Sequence, residues 1–315
     1  MEATSTAWGL ASSVPKRPDL AEYPFESRYF RRPDDLLLHY LDEGHGPPLL
    51  MVHGNPSWSF LWRRLVSALA PDFRCLAPDH LGMGLSSRPS ASQYQFRLAD
   101  RVADLEALIE HWRPEAPVHL IMHDWGGPIG LSWAARNPER VASLTVLNSG
   151  SRIPPGYHLP ARLAVFRALA PLGTFLAQKM NLFVRGTAAC GTVRGLTDEA
   201  RQGFLAPYQR PEERLAVARF VADIPLSAGH PSYDYLAETD ARLNGLAAQK
   251  PLALVWGLRD FVFNRTVFLD WRERFPEAPA LVLPEAGHYL LEDEPGRIID
   301  FVRQFITNSQ TRGSQ

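Results

Sequence analysis

The sequence predicts an α/β fold: a mostly parallel, eight-stranded sheet with helices on both faces and an inserted helical cap. Three observations predict it. Short apolar runs that read as buried strands alternate with stretches whose apolar residues recur at helical spacing. After residue 152 that rhythm stops: Pro154-Pro155-Gly156 breaks the chain, and Leu-, Phe-, Ala- and Pro-rich helix-like pieces follow without a strand. The rhythm then resumes near Tyr233. The expected organisation is a core of residues 1–152 and 232–315 with a cap of residues 153–231.

Each element has its own signal. A strand pair spans Phe30 to Leu41 and turns at Pro33-Asp34-Asp35. Pro48 to Val52 is a central parallel strand ending at His53-Gly54. Leu61, Leu65, Ala68 and Leu69 share one face of a helix over Phe60 to Leu69. Arg74 to Ala77 is a strand leading into Pro78-Asp79-His80 and a Gly82-x-Gly84 loop. Arg101 to Trp112 forms an amphipathic helix through Val102, Leu105, Leu108 and Ile109. Val118 to Met122 is a buried strand, Ile129 to Arg136 a helix stopped by Asn137-Pro138, and Val141 to Leu147 another strand. Beyond the cap come a strand at Leu252 to Trp256, a helix at Val267 to Phe275, a strand at Ala280 to Leu283 and a last helix at Arg297 to Ile306.

Bulk properties narrow the function. The 315 residues are 45% apolar and 21% charged, enough for one α/β core with an insertion. A net charge of −1 without a basic stripe argues against a nucleic-acid partner. Cys75 and Cys190 are too few and too isolated for a disulfide framework or a zinc site, and Cys75 sits in an apolar run as a buried small hydrophobe. No metal or cofactor is expected. Met1 to Leu20 is Ala/Ser/Pro-rich without the apolar centre of a signal peptide. Nor does any stretch reach the roughly 18 apolar residues of a membrane span. A cytoplasmic protein with a small hydrophobic substrate is the expectation.

The chemistry concentrates in His123-Asp124-Trp125-Gly126-Gly127-Pro128. Strand, tight glycine-assisted turn and helix make a nucleophile elbow, here carrying aspartate in place of serine. A carboxylate with an ordinary pKa of about 3.9 is ionised at neutral pH and needs no base to attack a saturated carbon. Open parallel sheets bind ligands at the carboxyl ends of their strands. Asp124, Asp260 and His288 all fall at such ends, in the nucleophile–acid–histidine order of α/β-hydrolases. Alone, Asp124 would read as a helix cap and Asp260 as a turn residue. Asn55 and Trp125 add an amide and an indole donor. His53 and His80 read as structural, His123 as facing the flank of the sheet, and Tyr208, Tyr233 and Tyr235 as packing or rim. Met122 departs from the small residue usual two positions before the nucleophile.

Five segments carry a family resemblance over nearly the full length: His53-Gly54-Asn55-Pro56-Ser57-Trp58, Pro78 to Ser86, His123 to Gly127, Trp256 to Asp260, and Gly287-His288-Tyr289. The chain resembles the haloalkane dehalogenase group of α/β-hydrolases. Ala206-Pro207-Tyr208 and Arg219 to Leu226 resemble the branch containing the β-lactone (cis-3-alkyl-4-alkyloxetan-2-one) decarboxylases of bacterial olefin biosynthesis. The resemblance implies Asp124 as nucleophile, His288 as base held by Asp260, and Asn55 with Trp125 gripping the leaving group. It implies decarboxylation of long-chain β-lactones to cis-alkenes, with haloalkane hydrolysis as the alternative. Assembly with other enzymes of the olefin pathway is also implied. An epoxide hydrolase would need paired cap tyrosines, and a non-catalytic binder would have no need of an intact triad.

Overall fold

A computed structural model describes residues 17–168 and 175–312. Most of the Ala/Ser/Pro-rich leader, residues 1–16, lies outside them. The eight strands are β1 (Arg28–Arg31), β2 (Leu37–Glu43), β3 (Pro48–Val52), β4 (Arg74–Pro78), β5 (Val118–His123), β6 (Val141–Leu147), β7 (Leu252–Gly257) and β8 (Ala280–Leu283). They form one sheet in the order β1-β2-β4-β3-β5-β6-β7-β8. The β1–β2 and β2–β4 pairs are antiparallel and all others are parallel. β3, β5 and β7 are buried at every residue, as strands covered on both faces are, and β5 buries His119 and His123 among its apolar residues.

Topology fixes where the helices lie. From β3 the chain steps to β4 on one side, then back across to β5 and onward to β6. Right-handed crossovers therefore place α1 (Arg63–Leu69) on one face, and α2 (Leu98–Trp112) and α3 (Gly126–Arg136) on the other. The contacts agree. The last helix, Pro295–Arg312, packs on α1, whereas α2 and the helix Tyr233–Gln249 pack on α3. The reversal of direction at β3 opens a crevice above the ends of β3 and β5.

Between β6 and Tyr233 the described residues contain helices and no strand: α4 (Ala161–Ala168), α5 (Leu182–Cys190), α6 (Asp198–Leu205) and α7 (Leu215–Ala222). They sit over the crevice through specific seams. The Trp58 indole N–H donates to Gly203 O at 3.0 Å, and the Tyr208 hydroxyl donates to Ser57 O at 3.2 Å. Phe204 stacks on Tyr289 with ring centroids 4.4 Å apart. Tyr233–Gln249 is then α8, returning to the sheet, where the Ser132 and Thr239 hydroxyls meet at 2.8 Å. Arg265–Arg274 is α9, Leu290–Asp293 α10 and Pro295–Arg312 α11.

Several boundaries differ from the sequence reading by a few residues, and three helices show it. The helix expected over Phe60 to Leu69 divides into a 3-10 turn at Ser59–Trp62 and α1. The helix expected from Arg101 begins one turn earlier, at Leu98, so Arg101 faces inward from its first turn. The last helix runs to Arg312, well past Ile306.

Candidate active site

Asp124 sits at the turn between β5 and α3 with φ of 51°, a left-handed backbone that projects its carboxylate from the sheet edge. The turn closes only because Gly126 has no side chain: a Cβ there would overlap Val52 O on the neighbouring strand. Met122 is accommodated from the helix side. A Cβ on Gly130 would lie 2.8 Å from Met122 Sδ, so the space that a small residue at 122 would leave is supplied one turn into α3.

The Asn55 backbone N–H donates to Asp124 Oδ1 at 2.6 Å, and the Trp125 backbone N–H also donates to this carboxylate. Burial nevertheless pushes the carboxyl up to about 6, against the pull of His288 and of both N–H groups. The Asp124 carboxyl is thus ionised at neutral pH, but less freely than an ordinary aspartate.

His288 follows β8, and its Nδ1–H donates to Asp260 Oδ2 at 2.9 Å. Its Nε2 lies 3.8 Å from Asp124 Oδ2. Asp260 also accepts from the backbone N–H groups of Val262 at 2.7 Å and Phe263 at 3.2 Å, and from the Asn148 amide at 2.7 Å. Burial alone would raise the Asp260 carboxyl. The His288 charge and hydrogen bond, with the Val262 and Asn148 donors, hold it below its ordinary value instead. Burial likewise opposes an imidazolium at His288, yet the Asp260 charge, its hydrogen bond and the Asp124 charge raise the histidine above its ordinary value. The structure therefore brings Asp124, Asp260 and His288 together, as the sequence expected.

Sequence reasoning missed Asn148. It stands at the carboxyl end of β6, donates to Asp260 Oδ2 and to Gly287 O, and accepts from the Gly257 N–H, tying the ends of β6, β7 and the histidine loop together. The signal was a polar residue directly after an apolar strand. His123 is also placed differently. It does not face the flank of the sheet but lies under His288, donating from Nε2 to His288 O at 2.9 Å, with burial lowering its pKa to about 3. His53 and His80 are packed beneath the loop after β3, and His80 Nε2–H donates to His53 O at 2.8 Å. Tyr208 is buried packing, whereas Tyr233 and Tyr235 are partly exposed.

On the other side of Asp124 the polar groups are not all used. The Asn55 amide donates one N–H to Val217 O at 3.2 Å, and its Oδ1 is buried without a partner. Among the described residues the Trp125 indole N–H makes no hydrogen bond, and Trp125 lines the cavity. That cavity measures about 620 Å³, within the usual range for small-ligand sites. Asn55, Asp124, Trp125 and His288 form its polar end, and Ile153, Leu159, Leu163, Leu182, Phe183, Val221 and Ile224 form much of its apolar wall. Tyr157 also lines it, but its hydroxyl is committed to Val262 O at 3.0 Å. Among the described residues no group of three or more His, Cys, Asp or Glu is arranged to hold a metal ion.

A strand-end carboxylate, a strand-end histidine–aspartate pair and an apolar pocket beneath inserted helices define an α/β-hydrolase. The sequence signature described as the alpha/beta hydrolase fold matches residues 47–295, and the chain belongs to that family. Within it, the chain is 40% identical to the cis-3-alkyl-4-alkyloxetan-2-one decarboxylase of Shewanella oneidensis, over 93% of this chain and 92% of that one. It is 34% identical to haloalkane dehalogenase 2 of Mycobacterium tuberculosis, over 91% of this chain and 96% of that one. The crystal structure of an ancestral haloalkane dehalogenase (node 2) superposes with a TM-score of 0.79 at 27% identity, covering 90% of this chain and 99% of that chain.

Proposed function

We propose that this protein is a β-lactone decarboxylase in which Asp124 is the nucleophile and cis-3-alkyl-4-alkyl oxetanones of long chain are the substrates. One observation carries the nucleophile. Asp124 Oδ1 rests on the Asn55 backbone N–H, while Oδ2 is left toward His288 at 3.8 Å. Oδ2 is then the attacking atom, and Oδ1 becomes the ester carbonyl oxygen, already seated on backbone donors. The decarboxylase reading rests on the likeness to the Shewanella enzyme and on the apolar wall of the cavity.

Oδ2 attacks the saturated ring carbon that bears the ring oxygen. The C–O bond breaks and its electrons stay on a carboxylate, which the Trp125 indole N–H and the remaining Asn55 amide N–H receive. Loss of carbon dioxide from this adduct forms the C=C bond and expels the Asp124 carboxylate. Inversion at the attacked carbon followed by anti elimination gives a cis-alkene from a cis-lactone. No external proton is needed, and the His288 imidazolium, favoured by Asp260, stabilises the returning carboxylate. Residues 153–231 act as the cap that supplies the hydrocarbon wall, and residues 1–152 and 232–315 act as the core. No helix among the described residues is long and apolar enough to cross a membrane. A cytoplasmic enzyme working in assembly with other olefin-pathway enzymes fits this reading.

Haloalkane hydrolysis is the second reading, favoured by the Mycobacterium relative and by the same free indole donor. The test is product analysis of both substrate classes side by side. Alkene and carbon dioxide are expected from the cis-lactone, with little halide from 1-bromobutane. Halide release without alkene would overturn the decarboxylase assignment.

A further inference from the structure

Arg101 is buried in the first turn of α2, beneath the Trp125 side of the site. Its guanidinium carbon lies 3.5 Å from the centroid of the Phe220 ring and 5.5 Å from that of Trp125. The two rings meet edge to face at 5.5 Å. Phe220 belongs to α7, so one cation touches both the elbow tryptophan and the helix above it.

The ion pair that accompanies this cation is incomplete. Arg101 Nη1 approaches Asp223 Oδ2 at 3.3 Å, but Nε and Nη2 are buried with no hydrogen-bond partner. Asp223 is also shared: Arg97 reaches its Oδ1 at 3.2 Å, and the Ser232 hydroxyl donates to the same oxygen at 2.8 Å. Asp100 adds weaker attraction for the Arg101 charge. A buried charge that is only partly compensated is costly. This one stands behind a tryptophan whose indole N–H is unused.

We propose that Arg101 is a positioning residue for the anion released on opening of the substrate. Its guanidinium fixes Trp125 against Phe220 by cation–ring contact and sets a positive charge behind the indole donor. The proposal rests on the reading that an anion departs toward Trp125. It separates from a plain structural ion pair by sign. Removing the cation weakens the anion site, whereas removing its counter-charge strengthens it; a structural clamp loses the same contact either way.

The test uses the full chain as wild type, Arg101→Met, Arg101→Lys and Asp223→Asn. Iodide is titrated against tryptophan fluorescence, and kcat and KM are measured on a cis-lactone. Arg101→Met is expected to weaken the saturable iodide binding by about 10-fold or more and to lower kcat by about 10–100-fold with KM little changed. Arg101→Lys should recover part of both. Asp223→Asn should tighten iodide binding. Equal losses in Arg101→Met and Asp223→Asn, or wild-type behaviour in Arg101→Met, would overturn the proposal. If Arg101→Met does not fold, Arg101→Lys and Asp223→Asn decide by the opposite signs of their iodide shifts. A wild type that makes no alkene but shows these iodide shifts leaves the inference standing while the decarboxylase assignment fails. A wild type that makes alkene without saturable iodide binding is judged on kcat alone, and one that does neither refutes the inference.

Discussion

The two flanks of Asp124 are built on opposite principles. Toward Asp260 the network is nearly closed: His288 Nδ1, both Asp260 oxygens and both ends of the Asn148 amide are hydrogen-bonded inside the protein, and His123 Nδ1 beneath them is the buried exception. Toward Trp125, the indole N–H and one Asn55 amide hydrogen have no partner, and Asn55 Oδ1 and two Arg101 nitrogens are buried and bare. A closed network holds one tautomer and one ring orientation and tolerates no newcomer. An open one waits for a ligand to complete it. The first flank keeps the histidine in place, and the second is where the proposed function puts the charge that leaves the substrate.

Removing the group between the flanks has the largest expected effect. Asp124→Ala should lower alkene formation by at least about 10⁴-fold, measured by gas chromatography on protein with an unchanged circular dichroism spectrum. Undiminished turnover would remove the basis for treating the flanks as parts of one site. On the closed flank, His288→Gln should lower kcat by about 10²-fold. Asp260→Asn should do the same, and the double variant should cost little more than either single one, because the two side chains act as a unit. Multiplying losses would show that the closed flank is not a unit.

Asp124 itself sharpens the contrast through pH. Its folded pKa of about 6 lies above the ordinary 3.8, so the charged form disfavours the folded state. Stability from the neutral form is fully present below about pH 4 and is lost as pH rises through 6. Asp124→Asn should therefore stabilise the protein by about 3 kcal/mol at pH 8, with the gain shrinking between pH 6 and 4. Denaturant midpoints across that range provide the measurement, and a pH-independent difference would contradict it. Wild-type turnover should fall below about pH 6 for the same reason. On the open flank, Trp125→Phe removes one donor to an anion and should cost about 1.5–3 kcal/mol of transition-state stabilisation, read as kcat/KM. Its effect should multiply with that of Asp260→Asn. Strong coupling between them would break the division into two flanks.

The sequence made the closed flank largely legible and the open one only partly. Asp124, Asp260 and His288 announce themselves because each ends an apolar run, and strand ends in a parallel sheet converge. Asn148 ends such a run too, but asparagine after a strand equally suits a turn, and its three partners lie more than 100 residues away in sequence. Asn55 and Trp125 were visible as donors, not as donors left unsatisfied, since that depends on what α7 covers. Arg101 was hidden most completely. As the first residue of an amphipathic stretch, arginine reads as solvated surface, and only the extra turn from Leu98 and the approach of Phe220 bury it.

Met122 and Gly130 tie the two sides of the elbow to each other. The thioether occupies ground that a β-carbon at 130 would claim, so the side chains at the two positions compete for one space. A chain with alanine at 122 has room to enlarge 130, whereas one that enlarges 130 while keeping methionine must shift the thioether beside Asp124.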